Sequence, residues 1–130
     1  MLSAVIKSVS SVLLYVADPE RSSRFYRDLG FKAAGSDRAV REVRLNWFRL
    51  QFVDKASVEE PHLRSEARVE RKGAGAFIGI SVENFDKFCK ALRSRGVTFI
   101  GEPSQSSRGN RQVAVNYPDG YNLMLYEAKK

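Results

Sequence analysis

The chain has 130 residues, the length of one domain, and its 43% hydrophobic and 28% charged content is typical of soluble globular proteins. No apolar run approaches the roughly 20 residues of a membrane span, and the N-terminal segment is too short and too weakly apolar for a secretory signal. A single cysteine excludes an intrachain disulfide, so we expect a cytoplasmic protein. Despite the net charge of +7, the arginines are dispersed and form no basic run, so we predict a basic surface without a nucleic-acid partner.

The first half of the chain begins with a predicted strand over 9–16, which is rich in β-branched and apolar residues. Asp18 suits the N-cap of a helix, and Pro19 suits its first position, where a missing N–H costs nothing. Apolar residues at helical spacing continue to Leu29, and Gly30 ends the helix. Three strands are predicted after it, over 31–34, 40–45 and 47–53, with a turn at 35–37.

Residues 54–72 have a different composition, because they are rich in Glu, Arg, Lys and Ser and follow no clear period. We predict a linker here, with room for a loose strand or a turn of helix. The only histidine, His62, lies in this segment, and we interpret it as a surface residue.

The second half repeats the order of elements. A strand is predicted over 76–82, and Asn84 is predicted to cap a helix that ends at Gly96. The apolar face of this helix has the spacing i, i+3, i+4, i+7 and consists of Phe85, Phe88, Cys89 and Leu92. The remaining predictions are a strand over 97–100, a polar loop over 101–109, and strands over 111–116 and 121–127 joined by a turn at 118–120.

The two halves match at a constant offset of 66 residues, since Val16 corresponds to Val82 and Gly30 to Gly96. We therefore predict an α+β protein made of two tandem modules, each with the order strand–helix–strand–strand–strand. The first module covers 1–53, the linker 54–72 and the second module 73–130. Neither half is long enough to bury a good core alone, so we expect one compact domain.

Two segments resemble the vicinal oxygen chelate superfamily, which includes glyoxalase I, extradiol dioxygenases, fosfomycin-modifying enzymes and bleomycin-resistance proteins. They are Val-Ala-Asp-Pro-Glu-Arg-Ser-Ser-Arg-Phe-Tyr-Arg-Asp-Leu-Gly-Phe at 16–31 and Tyr-Pro-Asp-Gly-Tyr-Asn-Leu-Met-Leu-Tyr-Glu at 117–127. The likeness covers nearly the whole chain except the linker. It implies paired βαβββ modules whose mixed sheets curl around a cup, commonly in a homodimer.

The resemblance also implies where metal ligands would lie, because the metal enzymes of this superfamily carry one on the first strand and one on the last strand of each module. In this chain the first-strand positions are Ser11 and Phe77, and the last-strand positions are Gln51 and Met124. None of the four is a histidine, cysteine or carboxylate, the ligands that such metals need. We therefore expect no metal and no cofactor, and we assign no catalytic residue.

Strand alternation predicts a uniformly apolar face under the helices and a mixed face lining the cup. Mostly apolar walls with a few polar groups are typical of small-molecule pockets. The predicted ligand-binding residues are Ser11, Tyr15, Trp47, Arg49, Gln51, Phe77, Asn122, Met124 and Tyr126. Plainer interpretations remain open. Trp47 and Tyr15 could be core or interface aromatics, and Met124 could simply fill a gap. Arg49 could pair with Glu42 or another surface carboxylate, and the pattern does not fix the face on which Glu42 lies.

We interpret the chain as a metal-free binding protein that sequesters an aromatic or planar small molecule, for example an antibiotic. Bleomycin-resistance proteins bind cationic drugs with acidic surfaces, so the basic charge argues against bleomycin itself. The replaced ligand positions argue against catalysis, but one alternative is an enzyme of the same superfamily with a non-standard or metal-independent site. Another is a protein or nucleic-acid interaction module.

Overall fold

The computed structural model of the protein describes residues 4–36 and 40–129, so the last residue of the predicted turn at 35–37 lies outside the described residues. The chain divides into two compact units, residues 1–69 and 70–130. Each unit contains one four-stranded sheet and one long helix, and each is described here by itself.

The first unit forms a mixed sheet in the order β1-β4-β3-β2. Its elements are β1 (Ser11–Val16), α1 (Pro19–Leu29), β2 (Lys32–Ser36), β3 (Val40–Leu45), β4 (Phe48–Asp54), a short 3-10 turn (Lys55–Ser57) and α2 (Pro61–Ala67). β1 runs parallel to β4, and the other neighbours are antiparallel. The helix α2 and the 3-10 turn occupy the segment that we predicted as a linker.

The second unit has the same topology, with strand order β5-β8-β7-β6. Its elements are β5 (Ile78–Ser81), α3 (Phe85–Ser94), β6 (Phe99–Gln105), β7 (Arg111–Asn116) and β8 (Asn122–Glu127). β5 is parallel to β8, as β1 is to β4. Two βαβββ modules in tandem confirm the predicted α+β fold class.

The core of the first unit lies between α1 and one face of the sheet. Asp18 begins α1 by accepting hydrogen bonds from the backbone N–H groups of Glu20 and Arg21, both at 3.1 Å, as the sequence predicts. The helix then buries Tyr26, which is fully inaccessible, in a stack 5.2 Å from the ring of Phe52 on β4. This face of the sheet is therefore closed to ligands.

The start of α3 corrects one prediction, since the side chain of Asn84 makes no capping hydrogen bond. Asn84 has a left-handed backbone, with φ of 53°, and the carboxylate of Glu127 on β8 caps the helix instead. Glu127 accepts from the backbone N–H groups of Asn84 at 3.0 Å and Phe85 at 3.4 Å. Local spacing therefore identified the residue at the N-cap position, but a distant side chain satisfies these N–H groups.

Strand boundaries differ from the predictions at two informative places. β4 begins at Phe48, because Leu45 pairs with Phe48 and leaves Asn46 and Trp47 as a two-residue hairpin loop. Asn46 has the positive φ, 56°, that such tight loops require. In the second unit β6 extends to Gln105 through a register shift after Ile100, so half of the predicted polar loop is strand.

Candidate functional site

The face of the first sheet that lies away from α1 is called its open face here. Residues directly opposite each other on neighbouring strands point to the same side, so the register assigns the members of this face. Those named below are Ser11, Leu13 and Tyr15 on β1, Arg49, Gln51 and Val53 on β4, Glu42 and Arg44 on β3, and Lys32 on β2. Of the predicted ligand-binding residues of the first module, all except Trp47 lie on this face; they are Ser11, Tyr15, Arg49 and Gln51.

Glu42 lies on the open face, which settles the parity that the sequence pattern left open. Its side chain is only 16% exposed, and its carboxylate accepts a hydrogen bond from Nε2 of Gln51 at 3.2 Å. A guanidinium nitrogen of Arg49 lies 3.7 Å from the other carboxylate oxygen. This hydrogen bond fixes the orientation of the Gln51 amide. Its Nε2 faces Glu42, and its carbonyl oxygen can accept a hydrogen bond from a ligand.

Trp47 lies apart from this set. Its ring is 73% exposed in the β3–β4 loop and meets the ring of Phe48 edge-on at 6.1 Å. Phe48 alternates with Arg49 along β4 and belongs to the helix-covered face. The tryptophan is therefore a residue of the hairpin tip.

The second sheet has an open face of different composition. Its members named below are Gly79 and Ser81 on β5, Asn122, Met124 and Tyr126 on β8, and Ala114 and Asn116 on β7. Phe77 directly precedes β5 and is 49% exposed. The ring of Tyr126 lies beside Gly79, 3.8 Å from where a Cβ would stand, so the space that a glycine opens here is already lined by an aromatic ring.

The amide of Asn122 is held by the protein itself. Its Nδ2 donates to the carbonyl oxygens of Gly73 at 2.9 Å and Ala76 at 3.3 Å. Its Oδ1 accepts from Nδ2 of Asn116 at 2.8 Å, and the same Nδ2 donates to the carbonyl oxygen of Gly120 at 2.7 Å. Asn122 is a predicted ligand-binding residue, but a network that anchors residues 73–76 already supplies hydrogen-bond partners for its amide.

The register makes Gln51 and Met124 equivalent positions. Leu13 pairs with Gln51 and Gly79 pairs with Met124, and residues 13 and 79 are separated by the 66-residue offset of the repeat. An amide and a thioether at these positions, with Ser11 and Phe77 on the first strands, do not fit a divalent metal that needs imidazole or carboxylate ligands. Within residues 4–36 and 40–129 no three His, Cys, Asp or Glu side chains are grouped closely enough to hold a metal ion.

An ion pair between helix and sheet occurs in both units, and the sequence reasoning missed it. Glu20 on α1 lies 3.1 Å from Arg41 on β3, and Asp86 on α3 lies 2.7 Å from Arg111 on β7. Glu20 and Asp86 are 66 residues apart, so the repeat places a carboxylate at the same position in both helices. That coincidence was the sequence signal for the ion pairs. Hydrogen bonding to these arginines lowers the pKa of both carboxyl groups.

Cys89 offers no reactive site. The thiol is buried on the core face of α3, as its helical spacing predicted. Burial raises the pKa of the Cys89 thiol, which keeps it protonated and weakly nucleophilic.

No helix in the described part of the chain combines the length and the apolar character that crossing a membrane requires.

The comparisons with known proteins agree on one family. The model of the Glyoxalase/Bleomycin resistance protein/Dioxygenase superfamily matches residues 8–125. A superfamily member from Sphaerobacter thermophilus is 25% identical with a TM-score of 0.72, covering 94% of this chain and 98% of its own. A protein of the same family from Burkholderia phytofirmans has a TM-score of 0.79 at 17% identity, covering 92% and 98%. One from Nocardioides has a TM-score of 0.77 at 17% identity, covering 99% and 88%. No curated protein matches the sequence.

Proposed function

We propose that this chain, which belongs to the Glyoxalase/Bleomycin resistance protein/Dioxygenase superfamily, is a metal-free protein that binds and sequesters a planar or aromatic small molecule on the open face of a sheet. Family membership gives the broad class, a module built to present a concave sheet surface. The absence of a fitting donor set argues for binding without a metal.

The observation that carries this proposal is the chemistry at the four positions where the metal enzymes of the family hold their ligands. Ser11, Gln51, Phe77 and Met124 supply a hydroxyl, an amide, a ring and a thioether. These groups contact organic ligands well and coordinate hard divalent cations poorly. Met124 in particular offers a soft, adaptable surface to a flat molecule.

Rings and orienting polar groups lie near these positions. On the first sheet the ring of Tyr15 would contact the flat surface of a ligand, and Arg49 and Gln51 would orient its polar edge. The second sheet, taken by itself, offers Tyr126 on its open face and Phe77 at its border. An antibiotic is one possible ligand, since the family's name includes bleomycin resistance proteins, but the net charge of +7 disfavours a cationic drug.

Metal content and ligand binding test the proposal separately. Protein purified without a histidine tag should contain no stoichiometric nickel, zinc, iron or manganese by elemental analysis. A screen of planar antibiotics and metabolites, read by thermal shift and by tryptophan fluorescence, should find compounds that raise the melting temperature. A chelatable metal at one equivalent per chain would refute the metal-free part, and a screen without any stabilising planar compound would refute the binding part.

A second candidate function is an enzyme with a metal-independent site. The observation that favours it is Glu42, whose side chain is only 16% exposed on the open face and whose carboxylate accepts a hydrogen bond from Gln51. Such a group is placed to exchange a proton with a bound ligand. If a screened ligand is chemically altered by the wild-type protein, Glu42→Gln should abolish the reaction and preserve binding. Binding with no turnover in the wild type would decide against this candidate.

We further propose a cytoplasmic homodimer. Each sheet has two edge strands, β1 and β2 in the first and β5 and β6 in the second, and natural proteins normally cover such edges. A single buried thiol suits a reducing compartment. Light scattering at micromolar concentration should give twice the mass of the chain, and a monomer would contradict the assembly.

A further inference from the structure

We propose that three cations in one cross-strand row, Lys32, Arg44 and Arg49, bind an oxyanion group of the ligand on the open face of the first sheet. The row ends on β1 at Ser11, whose hydroxyl adds a donor. This inference rests on the proposed function and specifies the ligand as a planar molecule that carries a carboxylate, sulfonate or phosphate.

The register places the four residues side by side. Lys32 on β2 is directly opposite Arg44 on β3, Arg44 is opposite Arg49 on β4, and Arg49 is opposite Ser11 on β1. Directly paired residues have Cβ atoms about 4.5–5.5 Å apart and point to the same side of the sheet. All three cations are exposed, with 52% of the Arg49 side chain accessible. A single anionic group can therefore reach several of their N–H donors.

The row has an electrostatic cost that the protein leaves largely uncompensated. Like charges directly opposite each other destabilise a sheet. Within residues 4–36 and 40–129, Arg44 and Lys32 have no ion pair, and only Arg49 has a carboxylate nearby, Glu42 at 3.7 Å. Two other cations of the same unit do contact a carboxylate, since Arg27 and Arg41 both contact Glu20, at 2.8 and 3.1 Å. A bound anion would offset the repulsion within the row.

The second sheet provides an internal comparison. The positions equivalent to Arg44 and Arg49 are Asn116 and Asn122, which pair with each other in the same way. Their amides are consumed by hydrogen bonds to each other and to backbone carbonyls. The cationic row thus belongs to one module only and is not a requirement of the fold.

The chemistry of the row selects oxyanions. Guanidinium groups present forked N–H donors that match the spacing of carboxylate and phosphate oxygens, and an ammonium adds a point charge. Because the cations are exposed, salt should weaken the interaction markedly. A ligand whose ring contacts Tyr15 and whose anionic group lies over Arg49 would use both properties of the open face.

The test compares two probes of the same ring, 2-naphthyl phosphate and neutral 2-naphthalenemethanol, by calorimetric titration. The wild type should bind the phosphate more tightly than the alcohol. Arg44→Gln and Lys32→Gln should each weaken the phosphate by about two- to fivefold and leave the alcohol unchanged. Matched controls are Arg24→Gln and Lys90→Gln, which remove the same charges from exposed positions on α1 and α3. Neither control should discriminate between the probes.

The outcomes separate this inference from the proposed function. Equal affinity for both probes, or row variants that behave like the controls, would overturn the row and leave planar binding intact. If neither naphthyl compound binds, titration with inorganic phosphate decides on the row: row-dependent phosphate binding supports it, and no phosphate binding overturns it. The screen of planar compounds decides separately on the proposed function. Displacement of naphthyl phosphate by a short single-stranded RNA at lower concentration than by phosphate would reassign the row to nucleic acid and overturn the small-molecule inference.

Discussion

The open faces of the two sheets carry different chemistry at equivalent positions, whereas their helix-covered faces carry the same. On the first sheet Glu42 pairs with Gln51, and at the corresponding place on the second sheet Ala114 pairs with Met124. Arg44 and Arg49 of the first open face likewise correspond to Asn116 and Asn122, which are hydrogen-bonded to each other. The first open face carries several charged side chains, whereas on the second the amides of Asn116 and Asn122 are engaged with each other and with backbone carbonyls.

The helix-covered faces show what the fold requires. Val43 pairs with Leu50 in the first sheet and Val115 pairs with Leu123 in the second, and all four are fully buried. Burying such side chains is the main source of stability for each module. The comparison teaches that one face of each sheet is constrained by packing and the other is available for function.

The largest expected effect tests the constrained face. Leu50→Ala and Leu123→Ala should each cost about 2–5 kcal/mol of unfolding free energy, because each leaves a cavity in a fully buried site. Leu13→Ala is the matched control on the open face, where the side chain is 47% exposed, and should cost well under half as much. Urea denaturation measures all three, and equal losses for Leu13 and Leu50 would remove the distinction between the faces.

The next largest expected effect is a difference in stability between loss of the Asn122 amide and loss of the Gln51 amide. Asn122→Ala should destabilise the protein by about 1–3 kcal/mol, because it leaves the carbonyl of Gly73 and the amide of Asn116 without their partner. Gln51→Ala should cost less than about 1 kcal/mol, since it loses a single side-chain contact on a partly exposed face. Thermal denaturation with matched buffers compares the two. A larger loss at Gln51 would make the first face the structural one.

The helix caps provide a third comparison, because α1 is capped by the adjacent Asp18 and α3 by Glu127 on a distant strand. Asp18→Ala and Glu127→Ala should each cost about 0.5–2 kcal/mol, because each side chain accepts two backbone N–H groups at a helix start. The matched control is Glu83→Ala, an exposed carboxylate beside the α3 cap. If Glu127→Ala behaves like Glu83→Ala in urea denaturation, the capping assignment fails.

The smallest effect is a shared response to acid. The lowered pKa values of Glu20 and Asp86 mean that their ion pairs contribute stability at neutral pH, and that this contribution disappears as pH falls through the lowered values. Glu20→Gln and Asp86→Asn should therefore show a smaller loss of urea midpoint between pH 7 and acidic pH than the wild type. Glu70→Gln, with an exposed carboxylate, serves as control. An unchanged pH dependence in both variants would show that the ion pairs contribute nothing.

The local spacing of apolar residues predicted most helices and strands. A helix buries one face at intervals of three or four residues, and a strand buries every second residue. The spacing in 22–29 and 85–92 identified the core faces of α1 and α3, and the 66-residue offset identified the duplication. Strand alternation likewise separated the buried from the open face within β1 and β4.

Features that depend on pairing between distant strands were not predictable. The side on which Glu42 lies, the position of Trp47 in a loop and the row from Lys32 to Ser11 all follow from the register of β3 with its neighbours. The cap of α3 comes from Glu127, which lies 43 residues beyond Asn84. No local spacing encodes either relation.

The contact between Asn122 and residues 73–76 determines where the duplicated chain could be divided for grafting. Gly73 has φ of +67°, and a Cβ there would stand 3.2 Å from the ring of Tyr121, so this segment is fitted closely to the turn before β8. A transplanted second module that began at β5 would lose the carbonyls that hold Asn122. A graft of this module should therefore keep residues 73–76, and the boundary between the two compact units, just before Glu70, is the place to insert a tether or a cleavage sequence.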